Sequence, residues 1–176
     1  MDDFERLRYP VGRFERLKEP LAAGARAAHI ATLEGAPAHF RLLVAGLNDA
    51  QLDTPYRPGG WTIRQVVHHV PDSHMNAYVR TKLAATLDTP PAILGYPEDV
   101  WAELPEAKSA PVEMSLDLLD GLHQRWVGFL RGLPAEAFQR TYIHPEMKAV
   151  TIDEAVAMYA WHCRHHAAHI ELAKRA

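Results

Sequence analysis

The sequence predicts an all-α protein, a four-helix bundle with one long crossover connection. Four stretches place apolar residues near the spacing of an amphipathic helix. Two of them begin with a capping signature, a threonine followed three residues later by glutamine or glutamate. Between the second and third stretches lie five prolines, which exclude a long helix there. Four helices joined by one long connection are typical of a bundle.

Composition predicts a single domain over residues 1–176. The chain has a mass of 19.8 kDa, with 48% hydrophobic and 23% charged residues, as in ordinary globular proteins. Its net charge is −3 and its basic residues are scattered, so we do not expect a nucleic-acid partner. No apolar run approaches the ~20 residues of a membrane span, and the N-terminus lacks a signal peptide's apolar segment. We therefore expect a cytoplasmic protein without a membrane partner, and the single Cys163 agrees with a reducing compartment.

The first predicted helix follows an N-terminal arm. Residues 1–20 carry mixed charge and two prolines, which indicates an extended segment. Residues 21–47 have the apolar spacing of a helix, but Pro37 interrupts them. Because proline lacks an amide donor and clashes with the preceding turn, this stretch is either one kinked helix or two short ones.

The second predicted helix comes after a loop rich in proline and glycine, residues 48–61. Thr62 and Gln65 form its capping box, and it continues to about Leu87. Pro71 removes the hydrogen bond to the Val67 carbonyl, so we expect a local bend near His69.

The second half of the chain carries the crossover and two further helices. Residues 88–112 form the crossover, with one short helical turn at 98–104. A third helix covers roughly 115–133, and the segment RTYIHPEMKAV predicts a short hairpin over the bundle end. Thr151 and Glu154 form a capping box for a fourth helix that runs to about Arg175. We expect the four tryptophans to fill the core or an interface.

Histidines are the compositional anomaly, since five of the eleven fall in two tight clusters: His68, His69, His162, His165 and His166. Each helical residue advances about 100°, so His162 and His166 lie only ~40° apart on one face and can converge on one point. HExxH proteins clamp zinc with this spacing, but no glutamate stands between the two histidines here. A metal site is therefore plausible, whereas the mechanism of those proteases is not.

The second helix offers His68, His69 and His74 as a third ligand. His69 lies on a polar stripe with Gln65, Asn76 and Arg80, where a bundle usually buries apolar residues. Buried polar side chains need a partner. Three histidines would leave one or two metal positions open for water, which is typical of a catalytic site. The alternative is that these are surface histidines or hydrogen-bonded core histidines.

The segments WTIRQVVHHVPDSHMN and YAWHCRHHAAHI, with LDTPYRPGGW before them, resemble the YfiT branch of the DinB superfamily. The resemblance covers nearly the whole chain and implies a four-helix bundle that holds zinc or nickel with one histidine from the second helix and two from the last. It assigns the metal to His69, His162 and His166, and this single constellation predicts one divalent ion per chain. Pro71 departs from the family pattern, in which a residue such as alanine is usual.

The resemblance implies a metal-dependent hydrolase or an S-transferase that uses a low-molecular-weight thiol such as bacillithiol. Both begin with a metal that lowers the pKa of a bound water or thiol, and both take a small-molecule substrate. The alternative is a non-catalytic metal-binding or stress-response protein, which predicts an open coordination site without a sequestered pocket. Histidine ligands suit zinc, nickel and copper alike, so the donor set does not identify the metal.

Further residues are assigned by their position on the predicted helices. His123, Asn76 and Arg80 are candidates for the substrate pocket, and a hydrogen-bonded core position is the equal alternative for His123. His169 is assigned to structural support, with substrate binding as the alternative. His68, His74 and His165 lie off the ligand face and are predicted non-ligands, and Cys163 is predicted to be a packed thiol. The resemblance and the aromatic, proline-rich crossover predict a homodimer. The alternative is that the crossover folds back as a lid over the metal pocket.

Overall fold

The computed structural model describes residues 3–175. Its helices are α1 Asp3–Arg8, α2 Ala23–Val44, α3 Asp49–Leu52, α4 Ile63–Thr86, α5 Glu98–Ala102, α6 Pro105–Ser109, α7 Val112–Arg131 and α8 Ile152–Ala173. A 3₁₀ turn, Ala135–Gln139, and two strands, β1 Thr141–His144 and β2 Lys148–Thr151, connect α7 to α8. The four long helices, α2, α4, α7 and α8, confirm the predicted bundle.

The bundle encloses its core by packing α2 and α4 each against both α7 and α8. The largest fully buried side chains include Leu33, Phe40, Leu119, Trp126 and Ile170, which come from α2, α7 and α8. Burying an aliphatic or aromatic side chain of this size contributes roughly 1.5–3 kcal/mol, so this shared core orients the four helices. Within the described residues, no helix is both long enough and apolar enough to cross a membrane.

The N-terminal region corrects one prediction and resolves another. Residues 3–8 form a short helix, whereas the sequence predicted an extended arm over residues 1–20; Met1 and Asp2 lie outside the described residues. The rest of the arm is held on the bundle, because the Trp161 indole donates to the Gly12 carbonyl at 3.1 Å.

The first long helix contains Pro37. Helix α2 runs through this residue as one helix of 22 residues, so of the two alternatives left open by the sequence, the single helix is correct.

The two predicted capping boxes have different outcomes. At α4 the box is complete, since Gln65 N donates to Thr62 Oγ1 at 3.2 Å and Thr62 N donates to Gln65 Oε1 at 2.9 Å. At α8 the Thr151 hydroxyl accepts from Glu154 N at 3.0 Å, but the Glu154 carboxylate binds the guanidinium of Arg16 instead of completing the box. The ion pair with Arg16 fastens the N-terminal arm to the start of α8.

The connections contain more helix than the sequence predicted. The predicted loop 48–61 includes α3, a four-residue turn whose cap is Asn48 with Gln51. The crossover contains α6 in addition to the predicted turn, because Pro105 occupies the first helical position, where its missing amide costs nothing. Helix α7 begins at Val112, three residues before the predicted start, since Val112 is already buried in the core.

The hairpin is confirmed. Strands β1 and β2 pair antiparallel, with Thr141 opposite Thr151 and His144 opposite Lys148. Tyr142 and Val150 are fully buried, so one face of the hairpin packs on the bundle. Ala92 in the crossover forms a parallel bridge to Ile143, which ties the crossover to the same end of the molecule.

Candidate metal centre

Three histidines from two helices converge at one point. His69 lies on α4, and His162 and His166 lie one turn apart on α8. The Nε2 atom of His162 is 3.2 Å from Nε2 of His69 and 3.2 Å from Nε2 of His166. The structure therefore brings together the three residues for which the sequence predicted a shared role.

The spacing and chemistry of these nitrogens fit a divalent metal. Zinc–nitrogen bonds of about 2.0–2.1 Å put two ligands of a tetrahedral site roughly 3.3–3.4 Å apart, close to the separations here. One ligand atom from each of His69, His162 and His166 lies within 4.8 Å of the others. Imidazole nitrogens are suitable donors for zinc and nickel. The residues present therefore fit the metal that the family resemblance implies.

Burial keeps the three imidazoles uncharged. It lowers the pKa of His69 to about 4, with a smaller contribution from His169. Burial, and then the neighbouring histidines, hold the pKa values of His162 and His166 well below the ordinary value. A neutral imidazole keeps the lone pair that a metal ion needs, so the site is ready to bind a cation at neutral pH.

A cavity of about 390 Å³ adjoins the three histidines. Its walls come from α8, from the loop before α4, from the N-terminal segment and from the crossover. Six of the residues that line it are Tyr9, Tyr56, Arg57, Trp61, Glu98 and Trp161. The volume is in the range of small-molecule sites.

The aromatic walls of this cavity revise the prediction for two tryptophans. Trp61 and Trp161 line the cavity, although the sequence predicted a core or interface position. The Trp61 ring centroid is 4.7 Å from that of His69, and the Trp161 ring stacks on His165 at 4.4 Å. Trp126 alone of the four is fully buried, as predicted for a core residue. In the sequence, Trp61 begins the segment that contains His69, and Trp161 directly precedes His162. This adjacency could have indicated that both tryptophans lie at the site.

A line of imidazoles leads from the centre into the core. His74 Nε2 is 3.0 Å from His162 Nδ1, and His74 Nδ1 is 2.8 Å from His123 Nε2. His123 Nδ1 is in turn 2.5 Å from the Leu33 carbonyl oxygen. His74 and His123 are 0% and 1% exposed, so both belong to the core. The sequence predicted that His74 was a non-ligand, but not that it touches a predicted ligand.

Two more histidines surround His166 on α8. One ligand atom from each of His165, His166 and His169 also lies within 4.8 Å of the others, forming a second group that could hold a cation. His169 Nε2 is 3.2 Å from the Arg8 carbonyl oxygen, and its ring stacks on Tyr56 at 3.9 Å. The Nδ1 atom of His165 is buried with no hydrogen-bond partner among the described residues. His165 therefore lies beside the centre, whereas the sequence placed it off the ligand face.

The other residues singled out from the sequence lie elsewhere. His123, Asn76 and Arg80, the predicted pocket candidates, do not line this cavity in the described part of the chain. Asn76 donates to the Asp72 carbonyl within its own helix at 2.9 Å, and the buried Arg80 donates to the Leu94 carbonyl at 2.7 Å. His68 contacts the Ser115 hydroxyl at 2.7 Å and the Ala110 carbonyl at 3.2 Å. These side chains hold helices and the crossover in place. 

Cys163 is buried, and burial raises the pKa of its thiol to about 12. A thiol with so high a pKa carries almost no thiolate at neutral pH, so it is a poor nucleophile. Its position agrees with the predicted packed thiol.

The crossover folds back on its own bundle. Gln65 donates to the Ala102 carbonyl at 2.7 Å, and Arg64 donates to the Ala110 carbonyl at 3.0 Å. Glu98 and Asp99 reach the rim and line the cavity. The crossover thus reaches the cavity through residues 98 and 99, while the homodimer stays a prediction.

Sequence and structure comparisons identify relatives over nearly the whole chain. A model of the DinB superfamily matches residues 32–170. A Bacillus cereus protein named "Putative metal-dependent hydrolase" is 49% identical over 164 residues, 93% of each chain. A Bacillus thuringiensis protein of the same name is 48% identical over the same shares.

Two solved structures resemble the fold. The mycothiol-dependent maleylpyruvate isomerase has a TM-score of 0.53 and 17% identity, over 82% of this chain and 60% of that one, so the likeness concerns the fold alone. YfiT from Bacillus subtilis, described as "a probable metal-dependent hydrolase with an unusual four-helix bundle topology", has a TM-score of 0.92 and 45% identity over 97% of both chains. This chain belongs to the DinB superfamily and is YfiT-like in sequence and fold.

Proposed function

We propose that this protein is a metal-dependent hydrolase of small molecules in which His69, His162 and His166 hold one zinc or nickel ion. The observation that carries the proposal is the convergence of three histidine Nε2 atoms, two pairs of them 3.2 Å apart, at the wall of a 390 Å³ cavity. The names of relatives at 48–49% identity support hydrolysis as the reaction class.

A divalent metal in this site supplies Lewis acidity, which lowers the pKa of a water or thiol that binds to it. The chain itself supplies the walls. Aromatic surface comes from Trp61, Tyr56 and Trp161. A substrate that packs against these rings would displace bulk water from the cavity.

Charged groups on the cavity wall have separate roles in this proposal. Arg57 lines the cavity, so its guanidinium is the candidate to donate to a substrate oxygen. The carboxylates of Glu98 and Asp99 line the same cavity and are the candidates to accept a proton during hydrolysis.

Two other functions use the same centre. Transfer to a low-molecular-weight thiol such as bacillithiol begins with the same activation, and the cosubstrate decides between the two reactions. A non-catalytic metal-binding or stress-response role requires no enclosed pocket beside the metal. The cavity with its aromatic walls therefore favours an enzyme.

The test is turnover by protein that has been stripped with a chelator and reloaded with zinc or nickel. Esters, amides and lactones are assayed alone, and alkyl halides and epoxides with bacillithiol or cysteine. We expect metal-dependent hydrolysis that is lost in His166→Ala and kept in His68→Gln, because His68 is the neighbour of His69 on α4 but does not line the cavity. Turnover that requires the added thiol would replace hydrolysis by thiol transfer, and equal turnover by stripped protein would refute the metal-dependent function.

A further inference from the structure

We infer that His74, His123 and His169 are positioning residues that fix which nitrogen of His162 and His166 carries the proton, so that both ligands present an unprotonated Nε2. This inference rests on the proposed metal role of His162 and His166. Two backbone carbonyls, which can only accept hydrogen bonds, anchor these histidines.

The first carbonyl belongs to Leu33 in α2. In a regular helix it would accept from the amide four residues later, but that residue is Pro37, which has no amide hydrogen. The Leu33 oxygen accepts instead from His123 Nδ1 at 2.5 Å. His123 must therefore carry its proton on Nδ1, and in the neutral ring its Nε2 is an acceptor.

The next two steps follow from this assignment. Because His123 Nε2 accepts, His74 must donate from Nδ1 across the 2.8 Å contact, which leaves His74 Nε2 as an acceptor. His162 must then donate from Nδ1 across 3.0 Å, so its Nε2 is unprotonated. That atom is the one that lies 3.2 Å from Nε2 of both His69 and His166.

A second, shorter chain starts at the Arg8 carbonyl, at the last residue of α1. His169 Nε2 donates to this oxygen at 3.2 Å, so His169 Nδ1 is an acceptor. His166 Nδ1 is 3.4 Å from it and is the donor, which leaves Nε2 of His166 unprotonated. The N-terminal segment thereby orients a ligand on the last helix.

Burial strengthens these assignments of the histidine tautomers. His74 and His123 are 0% and 1% exposed, so water does not compete for their ring nitrogens, and a charged ring there would be costly. His169 is 2% exposed and lines the cavity, so its hydrogen bond to the Arg8 carbonyl fixes its orientation. Trp126 packs edge-on against both His74 and His123, with ring centroids 5.9 and 6.0 Å apart, and holds the two planes. Partners of this kind set the ring orientation and basicity of metal ligands.

The first test needs no metal and no variant. Long-range ¹H–¹⁵N correlation spectra of the metal-free protein report the tautomer of each histidine. We expect Nδ1–H for His123, His74, His162 and His166, and Nε2–H for His169. An Nε2–H tautomer in His162 and His166 would overturn the inference, whatever the protein does with a metal.

The second test is calorimetric titration of stripped protein with Ni²⁺ or Zn²⁺. His123→Leu removes the anchor of the first chain and should weaken binding by roughly 10–100-fold. His123→Gln keeps an acceptor for His74 and a donor for Leu33, so it should restore most of the affinity, and the control His68→Gln should match the parent protein. Affinity of His123→Leu within about twofold of the parent would refute the positioning role, whereas a parent protein that binds neither metal would refute the proposed function instead.

Discussion

Arg26 and Asp153 form a bidentate ion pair across 127 positions of the chain, with Nε to Oδ1 at 2.6 Å and Nη2 to Oδ2 at 2.9 Å. The Asp153 carboxylate, whose side chain is 1% exposed, also accepts from the Leu21 amide and from Gln139 Nε2. Asp153 lies in the first turn of α8, where the helix dipole favours an anion. One carboxylate thus joins the start of α2, the 3₁₀ turn and the start of α8.

The first prediction concerns this ion pair. Asp153→Ala leaves the largely buried Arg26 guanidinium without its partner, and breaking such a pair costs about 3–5 kcal/mol. We expect this loss in the free energy of unfolding, measured by urea denaturation of the metal-free protein. The matched control is Asp117→Ala, which removes the partner of Arg41 in an exposed pair and should cost less than about 1 kcal/mol. Equal losses in the two variants would contradict the structural role of Asp153.

The second prediction concerns metal content. His69→Ala, His162→Ala and His166→Ala should each lose most of the bound metal, because each removes one of three converging nitrogens. Elemental analysis after dialysis should find one ion per chain in the parent protein and in His68→Gln. Loss of metal from His165→Ala but not from His69→Ala would show that the group of His165, His166 and His169 is the site.

The third prediction is that the metal-free protein loses stability as the pH falls below about 6.5. Burial lowers the pKa of His69 and of His123 to about 4, whereas the unfolded chain keeps values near 6.5. Above pH 6.5 both states are neutral at these positions. Between 6.5 and 4 the unfolded state binds more protons, so the free energy of unfolding decreases.

The measurement is urea denaturation at several pH values between 7.5 and 4.5. His123→Gln should reduce the slope of the stability curve, because one depressed pKa has been removed. A stability that stays constant down to pH 4.5 would contradict the buried, neutral state of these histidines.

The fourth prediction is a homodimer. Although the crossover packs on its own bundle, it leaves Leu94 and Val100 89% and 59% exposed, and exposed apolar residues of this kind are suited to an interface. Sedimentation equilibrium at micromolar concentration should give about twice the 19.8 kDa of one chain. Leu94→Asp with Val100→Asp should then shift the mass toward the monomer. A parent mass near 19.8 kDa would exclude the dimer and favour the alternative, in which the crossover is a lid over the metal pocket.

Helix positions were accessible from the sequence because their signals are local. The complete capping box of Thr62 and Gln65, the apolar stripe of α7 and the hairpin around residues 141–151 all depend on neighbours within a few residues. The errors have two other causes. Residues 3–8 and α3 are too short to show an apolar period. Glu154 has the right spacing from Thr151 for a capping box, but its carboxylate binds Arg16, which is 138 positions away in the sequence.

The sequence by itself determined the four long helices, the pairing of His162 with His166 on one face, and the resemblance that added His69. Helical periodicity specifies where a side chain lies around its own axis, but not which helix it meets. Only the tertiary structure decided that His74 on α4 reaches both His162 on α8 and His123 on α7, and that Trp61 and Trp161 line a cavity. Such contacts depend on how the helices pack, and that packing depends on the whole buried core.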